Sequence, residues 1–123
     1  MGSLQAKIGA ERWYHLDVPR HRIHFTVGGL EALLQRHGFE VTAVRHALLE
    51  HNPFGMWQSW INRLTHRPSY LYNLLKRNAP IDAHDLAITG LMLPLAPLAA
   101  LLEAGAALAG RGGTIAVLAR RGG

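Results

Sequence analysis

The first clear pattern of apolar residues lies between Thr26 and Gly38. Four residues there occupy positions i, i+3, i+4 and i+7, which form one face of an α-helix: Leu30, Leu33, Leu34 and His37. Thr26 is a favourable N-cap because its hydroxyl can accept a hydrogen bond from the first turn, and Gly38 is a common residue just after a helix ends. The pattern predicts an amphipathic helix between these two residues.

Two stretches have the pattern of β-strands. From residue 39, the apolar residues Phe39, Val41 and Ala43 alternate with other residues, which is the period of a half-buried strand. Residues 114–119 (TIAVLA) are apolar almost without interruption, which is typical of a strand covered on both faces. The sequence therefore predicts an edge strand over residues 39–46 and an interior strand over residues 114–119.

The stretch between these strands has mainly helical character. Asn52 and Pro53 predict a cap followed by a proline at the first helical position. The apolar residues that follow repeat at helical spacing: Phe54, Trp57, Ile61 and Leu64. A second stripe follows Pro68 and comprises Leu71, Leu74 and Leu75, with Tyr72 beside it. Helices are also predicted over three further ranges: 3–12, 82–93 and 95–109.

The last two predicted helices are unusually apolar. No charged residue occurs from residue 86 to residue 102, a length at the lower limit for a membrane-spanning helix. Pro94, Pro97 and the many alanines argue against a span. The pattern favours a buried helical hairpin over residues 86–109, and the alternative is a hairpin that rests on a lipid surface or covers a hydrophobic acceptor.

Residues 13–25 (WYHLDVPRHRIHF) have a composition that folding alone does not explain. These 13 residues contain three of the eight histidines, two arginines, an aspartate and three aromatic residues. Pro19 prevents a regular helix interior, so the sequence predicts a loop. Loops held by a scaffold frequently carry binding and catalytic side chains.

This loop belongs to an ordered series of motifs: residues 9–21 (GAERWYHLDVPRH), 24–26 (HFT), 30–34 (LEALL) and 38–41 (GFEV). The series resembles the C-terminal half of class I S-adenosylmethionine-dependent methyltransferases, and it is most similar to the broad methyltransferase-domain group found beside bacterial glycan and lipid genes. In that family an arginine-histidine loop precedes a helix that ends in Gly-Phe and is followed by a strand.

The resemblance implies an α/β fold that forms the C-terminal part of a Rossmann-like methyltransferase sheet. The two predicted strands would be the last of that sheet and would pair antiparallel, with the final strand inside its partner. The chain would be a single partial domain, mostly helical by residue count. It would divide into an acceptor-side loop, helix and strand (1–46), a large helical cap insertion (47–112) and the last strand (113–121).

The resemblance also implies S-adenosylmethionine as the methyl donor of the complete enzyme. The Gly-rich donor loop and acidic residue of that family would lie before residue 1, so we assign no donor site and expect this chain alone to bind no cofactor. Its Gly-rich residues 110–113 run from a helix into a strand, whereas a dinucleotide cradle runs from a strand into a helix. The expected partner is the N-terminal donor-binding half, or another copy of the chain paired through the exposed edge of the strand at residues 114–119.

Methyl transfer needs an acceptor atom that is deprotonated or polarised and held near the methyl group. Histidine suits proton removal near neutral pH, so His21 and His24 are the candidate catalytic bases. Arg20 could hold an anionic group of the acceptor, and Asp17 could orient a neighbouring side chain. The candidate substrate-binding residues are Trp13, His15, Asp17 and Arg20.

Two alternatives for the loop stay open. In a purely structural interpretation, Asp17 and Arg20 clamp the loop, Trp13 and Phe25 belong to the core and His15 lies on the surface. In a metal-binding interpretation, the ligands come from four residues: His15, Asp17, His21 and His24. The resemblance implies no metal.

Composition excludes some functional classes. The chain has no cysteine, which excludes disulfides and thiolate metal sites. Its 13 Lys and Arg residues give a net charge of +5 but form no dense basic run, so nucleic-acid binding is not expected. The sequence does not begin with a targeting signal. We expect a cytoplasmic protein, peripheral to a membrane if the apolar helices contact lipid.

Two functions are consistent with these patterns. The first is the C-terminal fragment of an S-adenosylmethionine-dependent methyltransferase, which supplies the acceptor-side loop and helical cap and is inactive without the donor-binding half. The second is a non-catalytic helical module that binds a membrane or another protein.

Overall fold

Six α-helices and two β-strands follow one another in the computed structural model, which describes residues 2–46 and 51–122. The helices are α1 (Leu4–Gly9), α2 (Val27–Arg36), α3 (Asn52–Asn62), α4 (Tyr70–Leu75), α5 (Ala83–Met92) and α6 (Ala96–Leu108), and the strands are β1 (Phe39–Arg45) and β2 (Ala116–Arg121). Short 3-10 turns cover Ala10–Arg12, Tyr14–Leu16 and Leu93–Leu95. The protein is mixed α/β and 56% helical, which confirms the mixed class and the helical majority, whereas the Rossmann-like methyltransferase sheet stays a prediction.

The core is built around α3. Met56 and Ile61 of this helix are fully buried, and so is Ala99, which packs against them from α6. Trp57 is 4% exposed, and its indole N–H donates a hydrogen bond to the Met92 carbonyl at 2.7 Å. That bond satisfies the polar end of a buried aromatic side chain. Trp57 and Ile61 of the predicted face thus belong to the core, together with Met56, which the pattern did not include.

The helix and strand after the loop agree with their predictions. The Thr26 hydroxyl accepts a hydrogen bond from the N–H of Gly29 at 3.2 Å and caps α2. Gly38 joins α2 to β1 with a φ of +78°, a conformation that glycine adopts without a steric cost. The cap and the stop therefore act as the sequence predicted.

The last strand differs from its prediction in position and burial. β2 pairs antiparallel with β1, as predicted, with Ala116 opposite Arg45 and Arg121 opposite Phe39. It begins two residues later than predicted, at Ala116 instead of 114. Leu118 is 50% exposed, so the prediction of an interior strand covered on both faces is wrong. Among the described residues the sheet has only these two strands, and the second half of β2 stays open to solvent.

Two helices of the central region differ from their predicted patterns in length or in the residues that they bury. α3 ends before Leu64, whose side chain is exposed. Asn52 is the first residue of α3 and not its cap, and its buried side chain donates to the His46 carbonyl at 3.0 Å. In α4, Leu75 is exposed, whereas Tyr70, which the apolar stripe did not include, is fully buried. The buried residues are therefore Asn52 and Tyr70, whose polar groups have hydrogen-bond partners, and the leucines Leu64 and Leu75 lie on the surface.

The predicted buried hairpin over residues 86–109 is also wrong. α5, the turn at Leu93–Leu95 and α6 form one helical run of 26 residues, Ala83–Leu108. Of the described residues, this is the one helix long and apolar enough to cross a membrane, and only 17% of its apolar window is buried. Pro94 and Pro97 stand in the first positions of their segments, where the missing N–H leaves no bond unmade. The prolines therefore do not reverse the chain.

Candidate functional site

The loop predicted over residues 13–25 is held against α3 by its first residues. Trp13 is buried, and its indole N–H donates to the Gln5 side-chain oxygen at 3.3 Å. The Tyr14 N–H donates to the Ser59 hydroxyl at 3.1 Å. Just before the loop, Arg12 donates to the carbonyls at the end of α3: Asn62 at 2.8 Å and Thr65 at 2.7 Å. Trp13, a candidate substrate-binding residue, is therefore buried in the core and holds the start of the loop in place.

His15 lies in a tight space between the loop and α3. A Cβ built on Gly55 would overlap the His15 Nε2 atom, so the glycine makes room for the ring. The Nε2 atom is buried and has no hydrogen-bond partner among the described residues. Burial, followed by the charges of His51, His21 and His24, lowers the pKa of His15 from 6.5 to about 4. The imidazole is therefore neutral at physiological pH.

Asp17 forms the polar centre of the outer loop. Its Oδ2 atom lies 3.6 Å from Nη1 of Arg20 and 3.6 Å from Nδ1 of His21. All three side chains are exposed, so the ion pairs contribute little to stability. In this arrangement Nδ1 of His21 faces the carboxylate, and its Nε2 is turned to the other side.

His24 has a different hydrogen-bond arrangement. Its Nε2 atom lies 3.1 Å from the Leu16 carbonyl oxygen, and a carbonyl can only accept, so we assign the proton to Nε2. The Nδ1 atom is then the free acceptor. The His24 ring lies 5.5 Å from the Trp13 ring and 6.3 Å from the His21 ring, measured between centroids. The two candidate bases are therefore neighbours.

An open pocket of about 700 Å³ separates the loop from the chain that enters β2. The side chains that can form polar contacts in it include Trp13, His15, His21, His24, His46 and Arg111. His46 directly follows β1, and Arg45 pairs with Ala116 at the start of β2, so the pocket lies at the carboxyl end of β1.

A second groove, of about 560 Å³, lies on the other side of the loop. Asp17 and Arg20 line only this groove, whereas Trp13, His15 and His21 line both. The structure thus brings the six candidate residues to one loop but divides them between two cavities. His21 is the candidate base that both cavities share.

The four residues of the metal-binding interpretation do not converge on one point. Among the described residues, the group whose ligand atoms lie close together is elsewhere in the chain. In the loop, the His15 Nε2 atom is buried beside Gly55 and the His24 Nε2 atom faces the Leu16 carbonyl.

A buried polar network lies beneath the pocket, and the sequence patterns did not indicate it. Gln5 is fully buried and donates to the Asn52 carbonyl at 2.8 Å, and the Asn52 side chain accepts a short hydrogen bond from Thr114. A Cβ on Gly113 would overlap the Gln5 side chain. The Gly113 N–H donates to Oε1 of Glu103 at 2.7 Å. The glycines of this turn therefore allow the backbone to pack closely against polar side chains.

Glu103 is the feature of this network that the sequence could have revealed, because it is the one charged residue of α6. It is 2% exposed. Burial raises the pKa of its carboxyl, and the hydrogen bonds from Gly113, Gln5 and Asn52 only partly oppose that shift. Its Oε2 atom has no hydrogen-bond partner among the described residues.

The pocket residues do not fit S-adenosylmethionine. Among the residues that the structure describes, no aspartate or glutamate lines the pocket, whereas the ribose hydroxyls of a nucleoside cofactor are bound by an acidic side chain. Arg111 and the imidazoles instead favour an anionic or aromatic molecule. Comparisons with protein-family models, curated proteins and solved structures found no match to this chain.

Proposed function

We propose that this chain is the acceptor-binding, C-terminal part of a class I S-adenosylmethionine-dependent methyltransferase. The position of the larger pocket carries the proposal: it lies where β1 ends and β2 begins, and in the complete parallel sheet that the resemblance implies, the carboxyl end of this strand would face the ligand. The methyl donor belongs to the N-terminal half that the sequence resemblance implies. This chain would bind and deprotonate the acceptor.

His21 is the proposed general base. Asp17 faces Nδ1 of His21 at 3.6 Å, so Nε2 would take the proton from the acceptor and the carboxylate would stabilise the resulting imidazolium. Arg20 contacts the same carboxylate but lines the second groove, so Arg111 of the larger pocket is the cation that would hold an anionic group of the acceptor. His24, whose Nδ1 is the free nitrogen, is the second candidate base.

The chemical class of the acceptor follows from the polar and apolar side chains that line the larger pocket. Imidazoles and Arg111 supply donors for an anionic group, and an apolar wall is supplied by Ile23, Phe25, Val27 and Leu30. An amphipathic acceptor with an ionised or acidic head and an apolar body would use both.

The test is methyl transfer by the protein expressed from its complete reading frame. Labelled S-adenosylmethionine is supplied with a membrane-lipid and glycan extract, and labelled product is counted. We expect His21→Ala to lower the turnover by about 100-fold, a typical contribution of a general base. His37→Ala changes an exposed histidine outside both cavities and should leave turnover unchanged. Absence of transfer, or equal turnover in both variants, would refute the proposal.

A second candidate function is a membrane-associated module without catalysis. The helical run Ala83–Leu108 favours it, because its exposed leucines include Leu91 at 75%, Leu101 at 71% and Leu108 at 92%. The free energy of a helix with this much exposed apolar surface falls when it enters a lipid interface.

A further inference from the structure

A group of metal-ligating side chains lies away from the loop, where the turn after α3 meets the start of α5. Its members are His66, Asp82, His84 and Asp85, and one potential ligand atom from each lies within 4.8 Å of the others. Residues 66 and 85 belong to different segments of the chain, so the tertiary fold brings the group together.

Both carboxylates of this group are fixed in place by backbone N–H groups. Asp85 is fully buried; its Oδ1 accepts from the His66 N–H at 2.7 Å and its Oδ2 from the Arg67 N–H at 3.1 Å. Asp82 accepts from the Asp85 N–H at 2.9 Å and caps α5. Burial alone would raise the pKa of Asp85, but the bonds from His66, His84 and Arg67 hold it below its ordinary value. The Asp85 carboxylate is therefore held at the buried end of the cluster by two backbone N–H groups.

The two imidazoles are stacked directly beside that carboxylate. Their centroids lie 4.1 Å apart at an interplanar angle of 17°. Nδ1 of His84 lies 3.1 Å and Nδ1 of His66 lies 3.8 Å from the same Asp85 Oδ1 atom. Both Nδ1 atoms therefore face the same carboxylate oxygen. Both rings are partly exposed, at 67% and 46% of the side chain, which leaves a route from solvent.

We propose that His66, Asp82, His84 and Asp85 bind a divalent metal ion of the zinc type. Two imidazole nitrogens and carboxylate oxygens are the ligand set that zinc, cobalt and nickel accept, whereas magnesium and calcium prefer oxygen alone. Two carboxylates neutralise a divalent charge. Bonds of about 2.0–2.1 Å in a tetrahedral site place ligand atoms roughly 3.3 Å apart. The four ligand atoms here lie within 4.8 Å of one another, so the side chains would move closer together when the metal binds.

The metal would act as a clip between two segments. His66 lies in the turn that follows α3, and His84 and Asp85 lie in the first turn of α5. Bound metal would therefore stabilise the folded state and raise the unfolding temperature, because the ligands come together only in the folded chain.

The experiment titrates the metal-free, purified full chain with ZnCl₂ by calorimetry at pH 7.5 and with CoCl₂ by visible absorption. We expect one equivalent to bind, a d–d absorption band for cobalt and a higher unfolding temperature with zinc. His66→Ala and His84→Ala should each weaken zinc binding by at least about 100-fold, the upper end of the effect of losing an outer-shell partner. His66→Ala keeps the backbone N–H that binds Asp85, so its metal-free form should keep the wild-type unfolding temperature. His84→Ala removes a side-chain hydrogen bond to Asp85 and should lower the unfolding temperature of the metal-free protein.

His37→Ala, at an exposed histidine of another element, is the matched control and should bind zinc as tightly as the wild type. No saturable binding, or equal weakening in all three histidine variants, would overturn the proposal. A loss confined to His66→Ala and His84→Ala would support it even if methyl transfer were never observed.

Discussion

The His15 imidazole packs onto Gly55 so closely that a single added methyl group would overlap its Nε2 atom. Gly55→Ala should therefore displace the loop from α3 and lower the free energy of unfolding by about 1–3 kcal/mol, the typical cost of overpacking. Chemical denaturation followed by circular dichroism measures the change.

Gly90→Ala is the matched control, because a Cβ at this position of α5 meets nothing within 4 Å. It should stabilise the protein by about 0.4–1 kcal/mol through the entropy of the unfolded chain. Opposite signs for the two substitutions are expected. A stabilising Gly55→Ala would contradict the close packing.

His15 should make the protein sensitive to acid. Its pKa is about 4 in the folded state and 6.5 as the ordinary value, so between these values the unfolded chain binds a proton that the folded chain does not. Stability should fall as pH decreases from 6.5 towards 4. His15→Gln should reduce the loss of unfolding free energy between pH 6.5 and pH 4 by on the order of 1–3 kcal/mol. The control variant His37→Gln should keep the wild-type dependence of stability on pH. Denaturant midpoints from pH 4 to pH 7.5 test this.

Glu103 should have the opposite pH dependence. Burial raises its pKa, so the folded state holds a proton above the pH at which the unfolded chain releases it, and stability from this group is lost as pH rises. Glu103→Gln keeps an acceptor for the Gly113 N–H and should stabilise the protein at pH 7.5. Glu103→Ala removes the acceptor and leaves a cavity, and should destabilise by about 2–4 kcal/mol. An unfolding temperature that is lower for Glu103→Gln than for Glu103→Ala would refute this account.

The exposed apolar run should bring the protein to anionic liposomes. Glutamate at Leu95 and Leu98 should reduce co-flotation by at least about tenfold, because each leucine contributes roughly 1.5–3 kcal/mol on burial. Ile81→Glu is the control: Ile81 is 83% exposed but lies before the run begins. Equal flotation of all variants, or none of the wild type, would leave no role for lipid.

The open edge of the sheet should cause self-association. β2 has β1 as its only described neighbour, and Leu118 is half exposed, so another chain can pair with its free N–H and C=O groups. Leu118→Lys should reduce the mass measured by light scattering to that of a monomer. Leu33→Lys, which changes an exposed leucine of α2, should not. A wild-type monomer at all concentrations would contradict the prediction.

The features that sequence predicted well depend on near neighbours. The cap at Thr26 and the turn at Gly38 are decided within one helical turn, so their residues were sufficient. The burial of Leu118 and the path of the helical run depend on which distant surfaces are present, and apolar content alone does not specify that. A run of leucines has the same pattern whether it is covered or exposed.

The candidate site divides in the same way. Composition located the loop and its histidines, but His15 is neutral because of Gly55 and the surrounding burial, which no spacing within the loop reveals. The cluster of His66 and His84 was missed because its members come from two segments. A pair of histidines, each near an aspartate or a turn, becomes a candidate only when the fold joins them.

The Leu4 N–H donates to the Arg111 carbonyl at 3.0 Å, so the first helix is tied directly to the chain that enters the last strand. Nearly the whole described chain must be ordered before this bond and the β1–β2 ladder can form. Closing so long a loop costs conformational entropy, and local helix formation does not compensate for it. The compensating contacts form only when the distant segments meet. This protein should consequently fold more slowly than its helical content suggests, with its helices forming first and its sheet last.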